Sequence, residues 1–368
     1  MKKLFGMMAA FAAVLLVGCS KEPAVDPDVP YITFEADAGQ VFSMDFQPRL
    51  SYEEFTLEEG DYFEYSVGGG EWKRFTTTVS GIAFGGDKGN LRLRGKSRKG
   101  TSDDLNCVVI LFFESAYVRC NGDIRTLVDY EDYKNADTKN ATFKFLFNGC
   151  TVLTTAPALP ATALAADCYS GMFSFCTSLR NAPALPATTL APYCYYGMFR
   201  GCTSLENAPT LPATKLDLSC YGDMFNFCTS LKNAPALPAT ALADDCYSSM
   251  FNGCTSLENA PALPATTLEK RCYDSMFAGC NSLESAPDLP ATTLVSGCYY
   301  AMFSCCTSLK EVKLHAADGF MSDSCLYFFL YDVPGPGIIY LKDADVEEQF
   351  KFACYEVYEN WEIKYFSE

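Results

Sequence analysis

The tetrapeptide Leu-Pro-Ala-Thr occurs six times, beginning at Leu159, Leu185, Leu211, Leu237, Leu263 and Leu289, each copy 26 residues after the last. A period that never drifts makes every unit the same length. Each unit must therefore solve the same packing problem against its neighbours, which is the signature of stacked repeats. Counted from cysteine to cysteine, full units start at Cys150, Cys176, Cys202, Cys228, Cys254 and Cys280, with a divergent seventh at Cys306. Cys325 and Phe329 echo the motif one residue late, and Val333-Pro334-Gly335-Pro336-Gly337 ends the periodic region.

Within one unit the apolar positions read as a helix. At 100° per residue, Leu164, Cys168, Tyr169, Met172, Phe173 and Cys176 share one half of the wheel, and Ala166, Asp167, Ser170, Gly171 and Ser174 the other. Thr162 and its equivalents Thr188, Thr214, Thr240, Thr266 and Thr292 stand where a helix N-cap belongs, and Asp217 and Glu269 add capping-box spacing. The opposite side, Leu179 to Leu185, is expected to stack as one short parallel strand per coil. Proline at 183 and equivalent positions donates no amide, which limits that strand to about three residues. Whether Ala182 and Ala184 or Pro183 and Leu185 face inward is open from the pattern. The expected fold class is an α/β solenoid with one short parallel strand and one helix per coil, preceded by a small all-β sandwich-like domain.

Other segments frame the repeats. Residues 1–18 have the charge, apolar run and small residues of a lipoprotein signal peptide, with Lys2 and Lys3 ahead of Leu4 to Val17. Leu16-Val17-Gly18-Cys19 resembles the bacterial lipobox, which implies cleavage before Cys19 and its lipidation. Residues 19–30 read as a polar tether, in which Ser20-Lys21-Glu22 resembles the export signal of Bacteroidetes surface lipoproteins. Short β-rich runs separated by turn residues fill 31–122. Among them is a hairpin, Phe63 to Val67 and Glu71 to Phe75, joined by Gly68-Gly69-Gly70. Residues 123–149 read as an N-terminal cap with a half-repeat, 150–331 as the repeat array and 332–368 as a C-terminal cap.

The Cys-Thr-Ser-Leu, Met-Phe-x-x-Cys and Leu-Pro motifs resemble the leucine-rich repeats of BspA-like bacterial surface proteins, over about Ala141 to Leu330, in a form some three residues longer than usual, which implies that the α/β solenoid is a leucine-rich repeat solenoid. The Glu64-Tyr65-Ser66 and Glu71-Trp72 hairpin with Leu93-Arg94-Gly95 resembles the leading β-domain of such proteins. The resemblance implies a surface lipoprotein that adheres to host or neighbouring-cell proteins.

Chemistry-bearing residues narrow the function further. A net charge of −17 disfavours nucleic acid, whose binding rests on cations that neutralise phosphates. His315 is the only histidine, and the acids Asp167, Glu206, Asp217, Asp223, Asp244, Asp245 and Asp274 recur in no matched pair, so no enzyme activity, cofactor or metal is expected. Thirteen of the 19 cysteines lie on two repeat ladders, Cys150 to Cys306 and Cys168 to Cys298. They read as buried thiols acting as small hydrophobes, with bridges between coils as the alternative, and Cys107 with Cys120 as a further candidate pair. The tyrosines at 169, 195, 221, 247, 273 and 299 read as packing residues with hydroxyls at the rim. Among the residues that vary between copies is a mixed-charge column with an amide-rich partner, Arg180-Asn181, Glu206-Asn207, Lys232-Asn233, Glu258-Asn259 and Glu284-Ser285, which is the candidate binding stripe. The function expected is recognition of a protein ligand by a lipoprotein anchored through Cys19 to the bacterial outer membrane. A glycan-binding or nutrient-capture lipoprotein and a structural envelope component are the alternatives.

Overall fold

The computed structural model describes residues 29 to 354 and 360 to 367. Cys19, the signal peptide and most of the tether lie outside the described residues. Eight strands come first: β1 (Ile32–Glu35), β2 (Gln40–Asp45), β3 (Tyr62–Val67), β4 (Lys73–Phe75), β5 (Val79–Phe84), β6 (Leu91–Lys96), β7 (Val109–Phe112) and β8 (Val118–Asn121). The expected hairpin forms between β3 and β4, with Phe63 opposite Phe75. One sheet runs β4-β3-β6-β1-β8 and the other β5-β2-β7. Alternation along β6, with Leu91, Leu93 and Gly95 buried, turns Arg92, Arg94 and Lys96 to the outer face. Phe34 of one sheet meets Phe42 and Phe112 of the other at 5.8 and 5.6 Å between ring centres, which places the core between the two sheets.

The repeat array contradicts the helix that its spacing predicts. No coil contains an α-helix or a strand of its own between β9 (Leu153–Thr155) and β10 (Glu311–Lys313), so the α/β leucine-rich repeat solenoid is not the architecture of this chain. The Cys168 to Cys176 segment is instead a run of consecutive tight turns. Every fourth residue, Asp167, Gly171 and Phe175, has φ of 56°, 58° and 60°, and the pattern recurs at Tyr193, Gly197 and Gly201 and in later coils. Even-numbered amides close turns within the coil, as Met172 N–H does on Tyr169 C=O (3.2 Å) and Cys176 N–H on Phe173 C=O (3.1 Å). Odd-numbered amides reach the next coil: Asp167 to Pro192, Tyr169 to Cys194, Gly171 to Tyr196, Phe173 to Met198 and Phe175 to Arg200.

Magnitudes explain how this arrangement holds. A left-handed residue other than glycine costs roughly 1–2 kcal/mol, and the first coil contains two, Asp167 and Phe175. Five bonds to the next coil, at about 1 kcal/mol each, offset that cost. A four-residue turn period keeps positions i and i+4 on one side, so it buries the same cysteines, methionines and aromatics that a helix would. Thr162 and its equivalents therefore cap nothing, and those at 162, 188, 214, 240 and 266 are exposed.

Inside, the rings form two files. Tyr169 to Tyr299 stack at 5.8 to 6.0 Å and Phe147 to Phe303 at 5.3 to 5.8 Å, each ring nearly parallel to the next. The tyrosines are not a rim stripe. They are only 1% exposed, and the hydroxyls of Tyr169, Tyr195 and Tyr247 are buried without a partner. On the opposite side Leu185 and Ala187 are buried while Pro186 and Thr188 are exposed, so Leu-Pro-Ala-Thr is extended chain alternating in and out. Leu185 faces inward and Ala184 outward, while Ala182 and Pro183 are half-buried and the equivalent Pro209, Pro261 and Pro287 are buried. Only isolated parallel bridges join coils there, in place of the three-residue strands expected.

Both ends of the array are closed by sheets. β9 adds to β8 in parallel, and Phe147 packs 6.3 Å from Phe34, so the β-domain and the first coils share one core. At the far end β10 pairs in parallel with β11 (Gly337–Leu341), which pairs with β12 (Trp361–Tyr365). Between β11 and β12 lies α1 (Ala344–Ala353), N-capped by Asp343 through Val346 N–H (2.9 Å). The late echo in the sequence is real in space: the bond offset lengthens by one residue in the last coil, where Tyr299 reaches Cys325 and Phe303 reaches Phe329.

Candidate functional site

The stripe expected from sequence variation forms one exposed row. Arg180, Asn181, Glu206, Asn207, Lys232, Asn233, Glu258, Asn259, Glu284 and Ser285 are all exposed. Each follows a fully buried leucine, Leu179, Leu205, Leu231, Leu257 or Leu283, which pins the start of the row to the core. Backbone bonds fix the row in pairs of coils: Glu206 N–H to Arg180 C=O (3.1 Å), Glu258 N–H to Lys232 C=O (3.0 Å) and Lys310 N–H to Glu284 C=O (2.9 Å). Side chains repeat the pairing. Asn207 Nδ2 donates to Asn181 Oδ1 (3.1 Å) and Asn259 Nδ2 to Asn233 Oδ1 (2.9 Å).

Charges of both signs stand along the row without being consumed by it. Lys232 Nζ stands 3.9 Å from Glu258, and Lys310 Nζ 3.0 Å from Glu284, with more than half of each of these side chains in water. Such pairs contribute little stability, which leaves their charges available to a partner. Between the second and third bonded pairs the coils part. A cleft of about 580 Å³ opens there, lined by Glu258, Asn259, Ser282, Glu284, Ser285 and Pro287. A second hollow of about 400 Å³ continues it past Pro261, Leu263, Pro264 and Asp288. Asp288 also receives His315 Nε2 at 2.9 Å, and His315 stacks on Phe366 at 4.2 Å, so the lone histidine ties this end of the row to the C-terminal segment.

The row continues one copy beyond Glu284-Ser285. Lys310-Glu311, 26 residues after Glu284-Ser285, occupies the same row, with Glu311 bridged to Ser285. The period alone would have found it, but the proline-rich tail of that copy is replaced by Val312-Lys313-Leu314.

All 18 described cysteines are free, and only Cys305 is not fully buried. Cys107 and Cys120 do not pair. The first contacts Ser51 (3.4 Å), and the second lies beside Cys150. In the Cys150 ladder Cys150 donates to Ile110 C=O (3.0 Å) and each later thiol to a phenylalanine carbonyl, as Cys176 to Phe147 and Cys202 to Phe173, both at 3.1 Å. Burial pushes the Cys202 and Cys254 thiols up to about 12, which holds them protonated and unreactive at neutral pH. Among the described residues no cluster of His, Cys, Asp or Glu has the geometry of a metal site. No helix among them is long and apolar enough to cross a membrane.

Comparison with family models, with curated proteins and with solved structures returns no match.

Proposed function

We propose that this chain is a surface lipoprotein, held on the outer membrane through a lipidated Cys19, that recognises a protein ligand along the row from Arg180 to Glu311. The single observation that carries this reading is that a column whose charge changes from copy to copy falls on one exposed line. Its backbone is hydrogen-bonded between coils and its charges are hardly engaged. A preorganised row of mixed charge and amide groups suits a protein surface, because complementary charges set register and approach while ordering few side chains.

Binding of the full chain to arrays of host-matrix proteins and of glycans, run in parallel, tests this. Selective protein binding that falls at least tenfold in the Arg180→Glu, Glu206→Lys, Lys232→Glu variant supports it. Protein binding untouched by that variant refutes the row, and glycan binding alone refutes the ligand class. Protease shaving of intact cells tests the location, where protection of the chain would place it inside the outer membrane.

A further inference from the structure

Along the array each coil is bonded through its backbone to the next, and at the C-terminal end that succession stops at β12. The sheet order β10-β11-β12 leaves the outer side of β12 without a partner strand among the described residues. Phe366 N–H reaches Leu341 C=O (3.0 Å), and Asn360 C=O receives Gly337 N–H (3.3 Å). Backbone groups alternate sides along a strand, so those of Glu362 and Lys364 also point to β11, and those of Trp361, Ile363 and Tyr365 point to the open edge.

An open edge is a template for another strand, and proteins blunt it with short length, proline, bulges or charge. Edge strands β4 and β5 of the first domain are blunted in this way. The former has three residues and begins Lys73-Arg74, and the register of the latter with β2 breaks between Phe42 and Met44. β12 has five residues, neither proline nor glycine, and an unbroken register with β11 from Trp361 to Tyr365. Its charged side chains are one of each sign. Glu362 and Lys364 share a face, 3.2 Å apart and 63% and 42% exposed. Trp361, Ile363 and Tyr365 take the other face, where the Tyr365 hydroxyl donates to Glu347 of α1 (2.6 Å).

We infer that β12 pairs with β12 of a second copy of this chain, antiparallel about a two-fold axis at Ile363, joining two three-stranded sheets into one of six strands. The strand Trp361-Glu362-Ile363-Lys364-Tyr365 is complementary to itself in that register. Glu362 falls opposite Lys364 of the other copy, twice over, and an aromatic ring falls opposite an aromatic ring at each end. The outward backbone groups of 361, 363 and 365 then form the hydrogen-bonded pairs, and the charges take the alternate positions, where Cα atoms are about 4.5 Å apart and side chains lie closest. The two adjacent registers that keep the backbone pairing set Glu362 on Glu362 or Lys364 on Lys364, so charge selects this one. The contact is isologous and closes on itself, which gives dimers and no fibre. One five-residue strand per copy is a small interface, so the dimer is reversible.

Sedimentation equilibrium of the full chain tests this at about 0.15 M salt, where a screening length of about 8 Å shields the net charge of −17 on each copy but not a contact pair. The unaltered chain should show a monomer–dimer equilibrium. Glu362→Lys and Lys364→Glu each set like charges opposite one another at both positions, and each should weaken dimerisation about tenfold or more. Mixed in equal amounts, the two variants restore opposite charges across both pairs and should form mixed dimers as tightly as the unaltered chain. The contact between Glu362 and Lys364 within one strand predicts no such rescue. An unaltered chain that stays monomeric, dimers indifferent to either substitution, a mixture no better associated than its components, or growth beyond the dimer would each overturn the assignment.

Discussion

Alanine in place of Gly279 separates a stack of turns from a stack of helices by the sign of its effect. In a helix interior, glycine to alanine stabilises by about 1 kcal/mol because the unfolded chain loses freedom. Here Gly279 has φ of 72°, with only the Gly253 backbone, at 3.6 Å, near the added Cβ. The substitution therefore carries the left-handed penalty alone, roughly 1–2 kcal/mol of destabilisation. Gly201, with φ of 70°, adds a collision, since its Cβ would lie 2.6 Å from Phe175 Cδ1. Overpacking of that kind costs a further 1–3 kcal/mol or so, toward the lower end because the half-exposed ring can swing away. Phe175→Ala in the same chain removes the obstacle, so the double variant should return to the cost of Gly279→Ala, a coupling of about 1–3 kcal/mol. Urea unfolding followed by far-UV circular dichroism reads all four chains. A rise in midpoint for Gly279→Ala would refute the turn architecture, and equal costs at 201 and 279 without coupling would refute the seating of Phe175 on Gly201.

The buried thiols predict alkaline instability. Cys202 and Cys254 are raised to about 12 in the folded chain against 9.0 in the unfolded one. Their protonated form is thus favoured by folding, and stability, complete below pH 9, falls as pH rises toward 12 by about 1.4 kcal/mol per pH unit for each thiol. Unfolding midpoints measured between pH 8 and 11 should drop steeply, Cys202→Ala should flatten the slope by one proton, and a flat profile would contradict the burial. Iodoacetamide on the native chain should modify Cys305 far faster than the ladder cysteines, whereas rapid labelling at Cys202 would show the ladders open. Tyr247→Phe removes a buried hydroxyl that has no partner, so it should raise stability by about 1 kcal/mol; a loss of that size would reveal a hydrogen bond to the hydroxyl.

Unit length and buried positions were legible because burial depends on spacing, and Cys168, Met172 and Cys176 recur every four residues. That same spacing hid the backbone. Positions i and i+4 lie on one side of a helix and equally on one side of a run of four-residue turns, so periodicity does not distinguish them. The distinguishing signal sat on the polar side of the wheel. Gly171, Gly197, Gly201, Gly253 and Gly279 mark positions of positive φ, and Asp167, Asp223 and Asp245 tolerate it. Phenylalanine at 175 and 227 obscured the pattern, because an aromatic side chain is poorly suited to that conformation and holds it here only through bonds to the next coil. The exposed row was legible because variation between copies needs no knowledge of the backbone. The seating of Phe175 on Gly201 was not, because it joins residues 26 apart whose contact depends on how coils stack.

The alternation of phenylalanine and glycine at 175, 201, 227 and 253 gives the array a parity. Bonds along the charged row follow the same count, tying coils two by two. Loss of the single coil that carries Gly201 would bring Phe175 and Phe227 into adjacent coils, where the second ring's Cβ would occupy the place of the first ring. Loss of the two coils carrying Gly201 and Phe227 would set Phe175 on Gly253 and preserve the row's pairing. Over this stretch the unit in which the molecule can lengthen or shorten without strain is therefore 52 residues, twice the period that its sequence displays.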